Sequence, residues 1–446
     1  MNLKQAVSVT LVLMFVPLLL SDIMAVAETR TEEHLQNHIT DYPEYWPTQE
    51  WRVATPESQG MNSSILSEAS SLSRIIIPRL GISNPRLDGM IVIRNGYIVF
   101  EEYPSGYGRN VFHRIYSCTK SFTSVLFGIA MDKGLISSLS QRVVDFFPDR
   151  EIANLDDRKR NITLEDLLTM RTGMDWEEWT YPYDSDLNPT SQMYDADDSI
   201  QFILDREMTT EPGTQFAYCS GASMLLGEII EIVSGMNILA FARKYLFTPI
   251  GIGELYWWKD YWKNVSYFSA EGGLFMTPRN MARFGYLMLN NGTWDNQEVV
   301  SASWVNTSTT SHLSRGSISG YGYQWWTTTG TPHWLENFIN KTVYYAMGME
   351  GQKICVVPDY NLVAVMTGEF SGATPAFYDN VVSDVIIESI LRFNQTETSL
   401  SATNTFGSSE QALAILSLDL LMLFWYEKLW ALLSLTALTV IRQKPP

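Results

Sequence analysis

Residues 113–122 read His113-Arg114-Ile115-Tyr116-Ser117-Cys118-Thr119-Lys120-Ser121-Phe122. The apolar residues that follow recur at helical spacing as far as Lys133, and Gly134 ends the pattern, which predicts a helix opened by Ser117. Residues three apart share one helix face, so the amine of Lys120 would lie beside the Ser117 hydroxyl. A serine beside a desolvated lysine is one form of activated nucleophile. Alone the pair is weak evidence, because it arises by chance about once or twice in a chain of this size, and an ordinary exposed helix start explains it equally well.

The sequence on either side of this helix predicts one antiparallel sheet. Two short apolar runs joined by Asn95-Gly96 form the strongest kind of hairpin signal. Late in the chain we predict three strands, Val343 to Met347, Lys353 to Val357 and Leu362 to Met366. Helical patterns occupy Leu164 to Met170, Ala222 to Val233, Pro278 to Leu289 and Asp379 to Phe393. We therefore predict an α/β (α+β) fold whose antiparallel sheet is built from both chain halves and flanked by helices, with a mostly helical lobe inserted and a cleft between the lobes.

Two further stretches give the Ser117 region a chemical context. Tyr218-Cys219-Ser220 follows a turn-like Glu211-Pro212-Gly213-Thr214 and precedes a predicted helix. A tyrosine that shares its phenol with a lysine can pass protons between a nucleophile and a leaving group. Gly348-Met349-Glu350-Gly351-Gln352 lies between two predicted strands. Its glycines permit close backbone approach, so N–H groups at Gly348 and Met349 are candidates to join that of Ser117 in an oxyanion hole.

Together these stretches resemble the serine β-lactamase and penicillin-binding protein superfamily in its class C-like form, and within it the esterase and 6-aminohexanoate-dimer hydrolase branch. The resemblance spans about residues 50–393 and rests, in family order, on residues 113–122, Leu164 to Met174, Glu211 to Gly221 and Gly272 to Pro278. It implies a β-lactamase/transpeptidase-like fold and an acyl-enzyme hydrolase. In that reaction Ser117 would be the nucleophile, Lys120 the base and Tyr218 the proton-relaying partner. No metal or cofactor is implied.

Two departures from the family pattern bear on the substrate. Ser220 stands where the family often has asparagine, and a serine still donates a hydrogen bond with shorter reach. Met347-Gly348-Met349 carries no lysine or histidine, the cation that helps hold a carboxylate in lactam-recognising branches. A small amide or ester is therefore the favoured substrate. Two alternatives stay open: a DD-peptidase or β-lactamase acting on peptidoglycan or lactams, and a non-catalytic, surface-anchored binding module.

An aromatic and acidic stretch follows Gly173. Its aromatic residues are Trp176, Trp179, Tyr181 and Tyr183. We expect Trp176 to contribute to a substrate wall, although core packing is the usual role of aromatic side chains. The acidic residues of this region predict neutral or cationic substrates. Cys118 and Cys219 adjoin proposed catalytic residues, which raises the hypothesis of a redox switch beside the simpler interpretation as small packing residues.

Composition limits the class of protein. Of 446 residues, 46% are hydrophobic and 18% charged, which is typical of globular domains and excludes collagen, coiled coil and general disorder. The net charge of −18 disfavours binding to nucleic acid or to anionic lipid. Three cysteines are too few for a disulfide scaffold. The oligomeric state is left open.

The two ends of the chain suggest export. We predict a signal peptide over 1–27, because an apolar run precedes the small residues Ala25-Val26-Ala27, with an uncleaved anchor as the alternative. An N-terminal segment over 28–44 leads to a hydrolase domain over 45–395 and a Ser/Thr-rich linker over 396–410. The hydrophobic segment 411–446 is interpreted as a membrane anchor, with an amphipathic helix as the alternative. The expected location is the extracytoplasmic face of the membrane, or outside the cell.

Overall fold

The computed structural model describes residues 43, 45–68, 86–259, 266–315, 319–328, 341–369 and 385–393. The predicted signal peptide, linker and C-terminal anchor lie outside these ranges, as does the start of the predicted final helix, of which 385–393 is helical. Within the described ranges no single helix is long and apolar enough to cross a membrane. The consecutive helical segments 220–234 and 238–247 reach that length and hydropathy only together, and they are bent by 76°.

The predicted sheet is present and larger than the sequence indicated. Its strands are β1 (Arg86–Arg94), β2 (Tyr97–Glu102), β8 (Leu313–Arg315), β9 (Ser319–Tyr321), β10 (Trp326–Thr328), β11 (Tyr344–Met347), β12 (Lys353–Val357) and β13 (Leu362–Glu369). They are arranged in the order β2-β1-β13-β12-β11-β10-β9-β8, and every neighbouring pair is antiparallel. In the β1–β13 pair Ile91 lies opposite Val365, which joins the early hairpin to the late strands and confirms the predicted fold class.

The other strands of the described ranges form two smaller sheets. They contain β3 (His113–Arg114), β4 (Tyr256–Trp257) and β5 (Leu274–Met276) in one, and β6 (Thr293–Trp294) and β7 (Gln297–Glu298) in the other. In the first, His113 pairs with Met276, and the Ile115 N–H donates to the Leu274 carbonyl at 2.9 Å. This pairing brings the stretch before Leu274 beside the residues that precede Ser117.

Most of the helices lie between the early and the late strands of the large sheet, as the sequence predicted. They are α1 (Ser63–Leu66), α2 (Cys118–Asp132), α3 (Asp157–Arg160), α4 (Leu164–Leu168), α5 (Pro189–Asp195), α6 (Ser199–Leu204), α7 (Ser220–Ser234), α8 (Ile238–Ala242), α9 (Pro278–Leu289) and α10 (Ala302–Thr309). Local sequence explains several of their ends. Thr163 and Asp166 form a capping box at the start of α4, and Gly235, with φ of 64°, ends α7.

Helix α2 is buried from Cys118 to Ala130, so no face of it is open to solvent there. Two of its hydroxyl groups donate to neighbouring carbonyls: Ser121 Oγ to Gln324 O at 2.8 Å and Thr123 Oγ1 to Ala270 O at 2.6 Å. Gly128 leaves room for the Trp304 ring, whose nearest atom would lie 2.3 Å from an added Cβ. Because α2 is enclosed in this way, its first turn is held in a fixed place against the sheet.

Candidate active site

Ser117 and Lys120 lie together at the start of α2. Ser117 occupies the N-cap position, and Lys120 Nζ lies 3.1 Å from Ser117 Oγ, as the helical spacing predicts. Lys120 is only 2% exposed, and its Nζ also donates to Ser220 Oγ at 3.1 Å and to Glu271 O at 2.9 Å. All three oxygens are uncharged. Lys120 Nζ is therefore placed to accept the Ser117 proton.

Tyr218 completes the group. Its side chain is 7% exposed, and Lys120 Nζ lies 5.0 Å from the centre of its ring. Burial raises the pKa of the Tyr218 phenol above its ordinary value of 10.0, and the nearby Lys120 and the hydrogen bonds with Ser117 and Lys120 only partly oppose this effect. At neutral pH the phenol therefore carries its proton, which suits a group that donates a proton to a leaving atom.

Ser220 connects Lys120 to a buried carboxylate. Ser220 Oγ donates to Glu178 Oε1 at 2.7 Å, and the Ser220 N–H donates to Glu178 Oε2 at 2.7 Å. Trp176 Nε1 donates to the same Oε2 at 2.8 Å, and the Tyr183 hydroxyl to Oε1 at 2.7 Å. Glu178 is 2% exposed. The serine that replaces the family's asparagine is thus held in place by a carboxylate that accepts four hydrogen bonds.

Glu178 was not among the site residues that the sequence predicted. It follows Glu177 directly, and nothing in the sequence distinguishes the two, although Glu177 is exposed and Glu178 buried. The contact from Lys120 to the main-chain carbonyl of Glu271 was not predicted either. The one available signal was Gly272-Gly273, since glycines often mark a close backbone approach.

The proposed oxyanion-hole segments are in contact. A Cβ added to Gly348 would lie 2.2 Å from the Ile115 carbonyl oxygen, so only glycine fits where the two backbones meet. The Gly348 N–H, which the sequence also offered as a donor, is not available, because it donates to Gln352 O at 2.9 Å. Within the described part of the chain, the N–H groups of Ser117 and Met349 donate to no protein acceptor. Two such free N–H groups on adjoining segments are what a developing oxyanion requires.

The aromatic cluster is arranged differently from the expectation for Trp176. That indole is only 4% exposed and lies within 2.9 Å of a Cβ added to Gly221, so it supports the site from the interior. Trp179, 49% exposed, stacks on the Tyr218 ring with centroids 5.1 Å apart. Trp326 also stacks on Tyr218, at 5.9 Å. The aromatic surface open to solvent beside Tyr218 is therefore that of Trp179.

The two cysteines next to the catalytic candidates lie in surroundings that suit packing better than oxidation. Cys118 and Cys219 are buried, and burial raises the pKa of both thiols well above the usual range, which disfavours the thiolate that oxidation requires. Among the described residues, no three His, Cys, Asp or Glu side chains are grouped as metal ligands.

Comparison with known proteins supports the resemblance that the motifs indicated. The sequence family described as Beta-lactamase matches residues 84–381, more than half of the chain. The 6-aminohexanoate-dimer hydrolase of Paenarthrobacter ureafaciens is 23% identical over 328 residues, which is 68% of this chain and 77% of that protein.

Solved structures share the fold. The octameric penicillin-binding protein homologue from Pyrococcus abyssi aligns with a TM-score of 0.56 and 20% identity over 72% of this chain and 77% of its own. The class C beta lactamase from Rhodobacter sphaeroides aligns with a TM-score of 0.54 and 17% identity over 72% of this chain and 99% of its own. These structures share the fold, and the family match over residues 84–381 shows that the chain belongs to the beta-lactamase family of serine hydrolases.

Proposed function

We propose that this protein hydrolyses a small amide or ester through an acyl-enzyme formed on Ser117. The observation that carries the proposal is the 3.1 Å contact between Ser117 Oγ and the buried Lys120 Nζ. Further support comes from the protonated phenol of Tyr218 beside both groups and from the N–H groups of Ser117 and Met349, which donate to no acceptor among the described residues.

The proposed reaction has two halves. Ser117 Oγ attacks the carbonyl carbon as its proton passes to Lys120 Nζ, and the N–H groups of Ser117 and Met349 stabilise the oxyanion. Tyr218 donates its proton to the leaving nitrogen or oxygen and is reprotonated by Lys120, so that the bond to the leaving group breaks and an acyl-Ser117 ester remains. Water then attacks this ester, gives up a proton to the same groups, and releases the acid as Ser117 regains its hydrogen.

An amide or ester is favoured over a lactam for two reasons. No cationic side chain stands immediately before Gly348, where Met347 occupies the chain. The relative from Paenarthrobacter ureafaciens is named for hydrolysis of an amide dimer. Trp179 offers an apolar face beside Tyr218, and the stretch that contains it also carries the exposed Glu177, Asp184 and Asp186. We therefore propose neutral or cationic substrates with an apolar group, and faster turnover of an anionic analogue of equal size would contradict this choice.

The experiment is active-site labelling of the full chain. A fluorophosphonate probe should add one adduct to the intact mass, and Ser117→Ala should abolish it. A second arm with penicillin tests the alternative hydrolases, since stable acylation of Ser117 would favour a DD-peptidase and turnover of the lactam would favour a β-lactamase. Folded protein that forms no adduct with either reagent would refute the hydrolase and favour a binding module.

We also propose export through residues 1–27 and membrane attachment through residues 411–446, on the sequence pattern alone. Fractionation of cells that express the full chain and a chain ending at residue 410 tests this. The full chain should sediment with membranes and the shorter chain should be released, whereas equal partitioning of the two would contradict the anchor.

A further inference from the structure

The two proposed donors of the oxyanion hole belong to segments far apart in sequence, and the residues beside them are hydrogen-bonded to each other. Tyr116 directly precedes Ser117, and Glu350 directly follows Met349. The Tyr116 hydroxyl donates to Glu350 Oε2 at 2.8 Å. This bond therefore joins the two halves of the hole one residue away from each N–H group.

Both partners have an unusual backbone conformation. The φ angle is 45° at Tyr116 and 56° at Glu350, in the left-handed region that residues with a Cβ rarely occupy. Strained residues of this kind persist where surrounding contacts over-determine them, and they cluster at functional sites. Here the same two residues that adopt this conformation are the two that hydrogen-bond across the segments.

Neighbouring groups hold each partner in place. The guanidinium of Arg114 lies over the Tyr116 ring, 4.8 Å from its centre, and donates to Gly272 O at 3.3 Å. Gln352 Nε2 donates to Glu350 O at 3.3 Å and to Gly368 O of β13 at 2.7 Å. Each end of the Tyr116–Glu350 bond is thus attached to a separate part of the framework.

The backbone contact at Gly348 does not make this bond redundant. Close packing of Gly348 on Ile115 O limits how near the two segments can approach, but it does not prevent them from moving apart. A directional hydrogen bond resists that separation. Burial, followed by the bond to Glu350, raises the pKa of Tyr116 to about 12, so the hydroxyl keeps the proton that it donates.

We propose that Tyr116 and Glu350 are positioning residues that fix the separation of the Ser117 and Met349 N–H groups. The inference rests on the proposed function, because a set separation matters only if an oxyanion forms there. The bond contributes to the transition state and little to the binding of substrate, since the donors act on charge that develops during the reaction.

The experiment compares the hydrolysis of an ester with that of its thionoester. The sulfur of the thionoester accepts hydrogen bonds poorly, so the oxyanion hole stabilises its transition state much less. Tyr116→Phe and Glu350→Ala should each lower kcat for the ester about tenfold or more, with KM within about twofold. The thionoester rate should fall much less. Glu350→Gln, whose amide oxygen still accepts, should retain most of the activity, and the double variant should be no slower than the slower single variant.

Tyr103→Phe is the matched control. It removes another tyrosine-to-glutamate bond, from Tyr103 to Glu101 at 2.7 Å, beside β2 at the far edge of the large sheet. It should leave the ester-to-thionoester ratio unchanged. If Tyr116→Phe does not fold, Glu350→Ala at a half-buried position supplies the same readout.

The outcomes separate the two claims. If turnover depends on Ser117 but the ester-to-thionoester ratio is unchanged in Tyr116→Phe or Glu350→Ala, the positioning role alone is overturned. A folded wild-type chain without Ser117-dependent turnover overturns the proposed function and the positioning role with it. An equal loss on both esters also contradicts the inference, because it indicates general damage to the site.

Discussion

Replacing Glu178 by glutamine should damage the reaction more than the fold. The carboxylate has only acceptor oxygens, so both Ser220 groups and the Trp176 and Tyr183 groups must donate to it. Because the Ser220 hydrogen is committed to Glu178, Ser220 Oγ can only accept from Lys120. Glu178 thereby sets the direction of the hydrogen bonds that reach Lys120.

Glutamine keeps the shape of the Glu178 side chain but no longer sets the direction of these hydrogen bonds. Its oxygen can still accept from the Trp176 and Ser220 N–H groups, while its amide donates to the two hydroxyls, which can rotate to accept. The Ser220 hydrogen is then free to point at Lys120 Nζ. A neutral Lys120 would use its lone pair on Ser220, and that lone pair would no longer face Ser117.

The expected change in the free energy of unfolding is small, and the expected change in kcat/KM is large. Hydrogen bonds to a charged group are stronger than neutral ones by about 1 kcal/mol each, so the four bonds lose about 4 kcal/mol. Removing a buried charge returns several kcal/mol of desolvation cost. The free energy of unfolding should therefore change by no more than about 2 kcal/mol, whereas kcat/KM should fall about 10- to 100-fold.

The assay measures urea unfolding and ester hydrolysis on the same preparations. Glu178→Ala is the contrasting variant, because it leaves four donors without an acceptor and should destabilise the protein by about 4 kcal/mol or more. Wild-type kcat/KM in a folded Glu178→Gln variant would refute the argument that Glu178 directs the hydrogen bonds of Lys120.

Three further predictions concern separate parts of the molecule. Gly348→Ala places a Cβ 2.2 Å from the Ile115 carbonyl, so kcat/KM should fall about 100-fold or more while circular dichroism stays native. Trp179→Ala removes the exposed ring beside Tyr218 and should raise KM for aromatic acyl esters up to about tenfold, with a smaller effect on acetyl esters. Burial, and then the nearby Glu231, raises the pKa of Glu228 from its ordinary 4.5 to about 7 in the folded state. The folded chain therefore binds this proton more tightly than the unfolded chain, and stability should fall by up to about 3 kcal/mol as pH rises from about 4.5 to 7. Thermal unfolding against pH checks this, because Glu228→Gln should remove that part of the decline; parallel curves for the two proteins would contradict it.

Local patterns were sufficient for much of the fold. Asn95-Gly96 predicted the hairpin of β1 and β2, because that pair adopts the required turn whatever surrounds it. Helical spacing likewise predicted that Lys120 would reach Ser117, since a separation of three residues fixes their distance within one turn. The strands β8, β9 and β10 escaped prediction: each has only three residues, which is too short for an alternating pattern.

By itself, the sequence determined the order of the motifs and the contacts made within one helix or one hairpin, because short-range backbone geometry sets both. Only the tertiary structure decided which of Glu177 and Glu178 is buried, and which of Trp176 and Trp179 meets solvent. It also placed Tyr116 against Glu350, residues more than two hundred positions apart. Burial and long-range contact depend on what the rest of the chain packs against each side chain, and no local pattern contains that information.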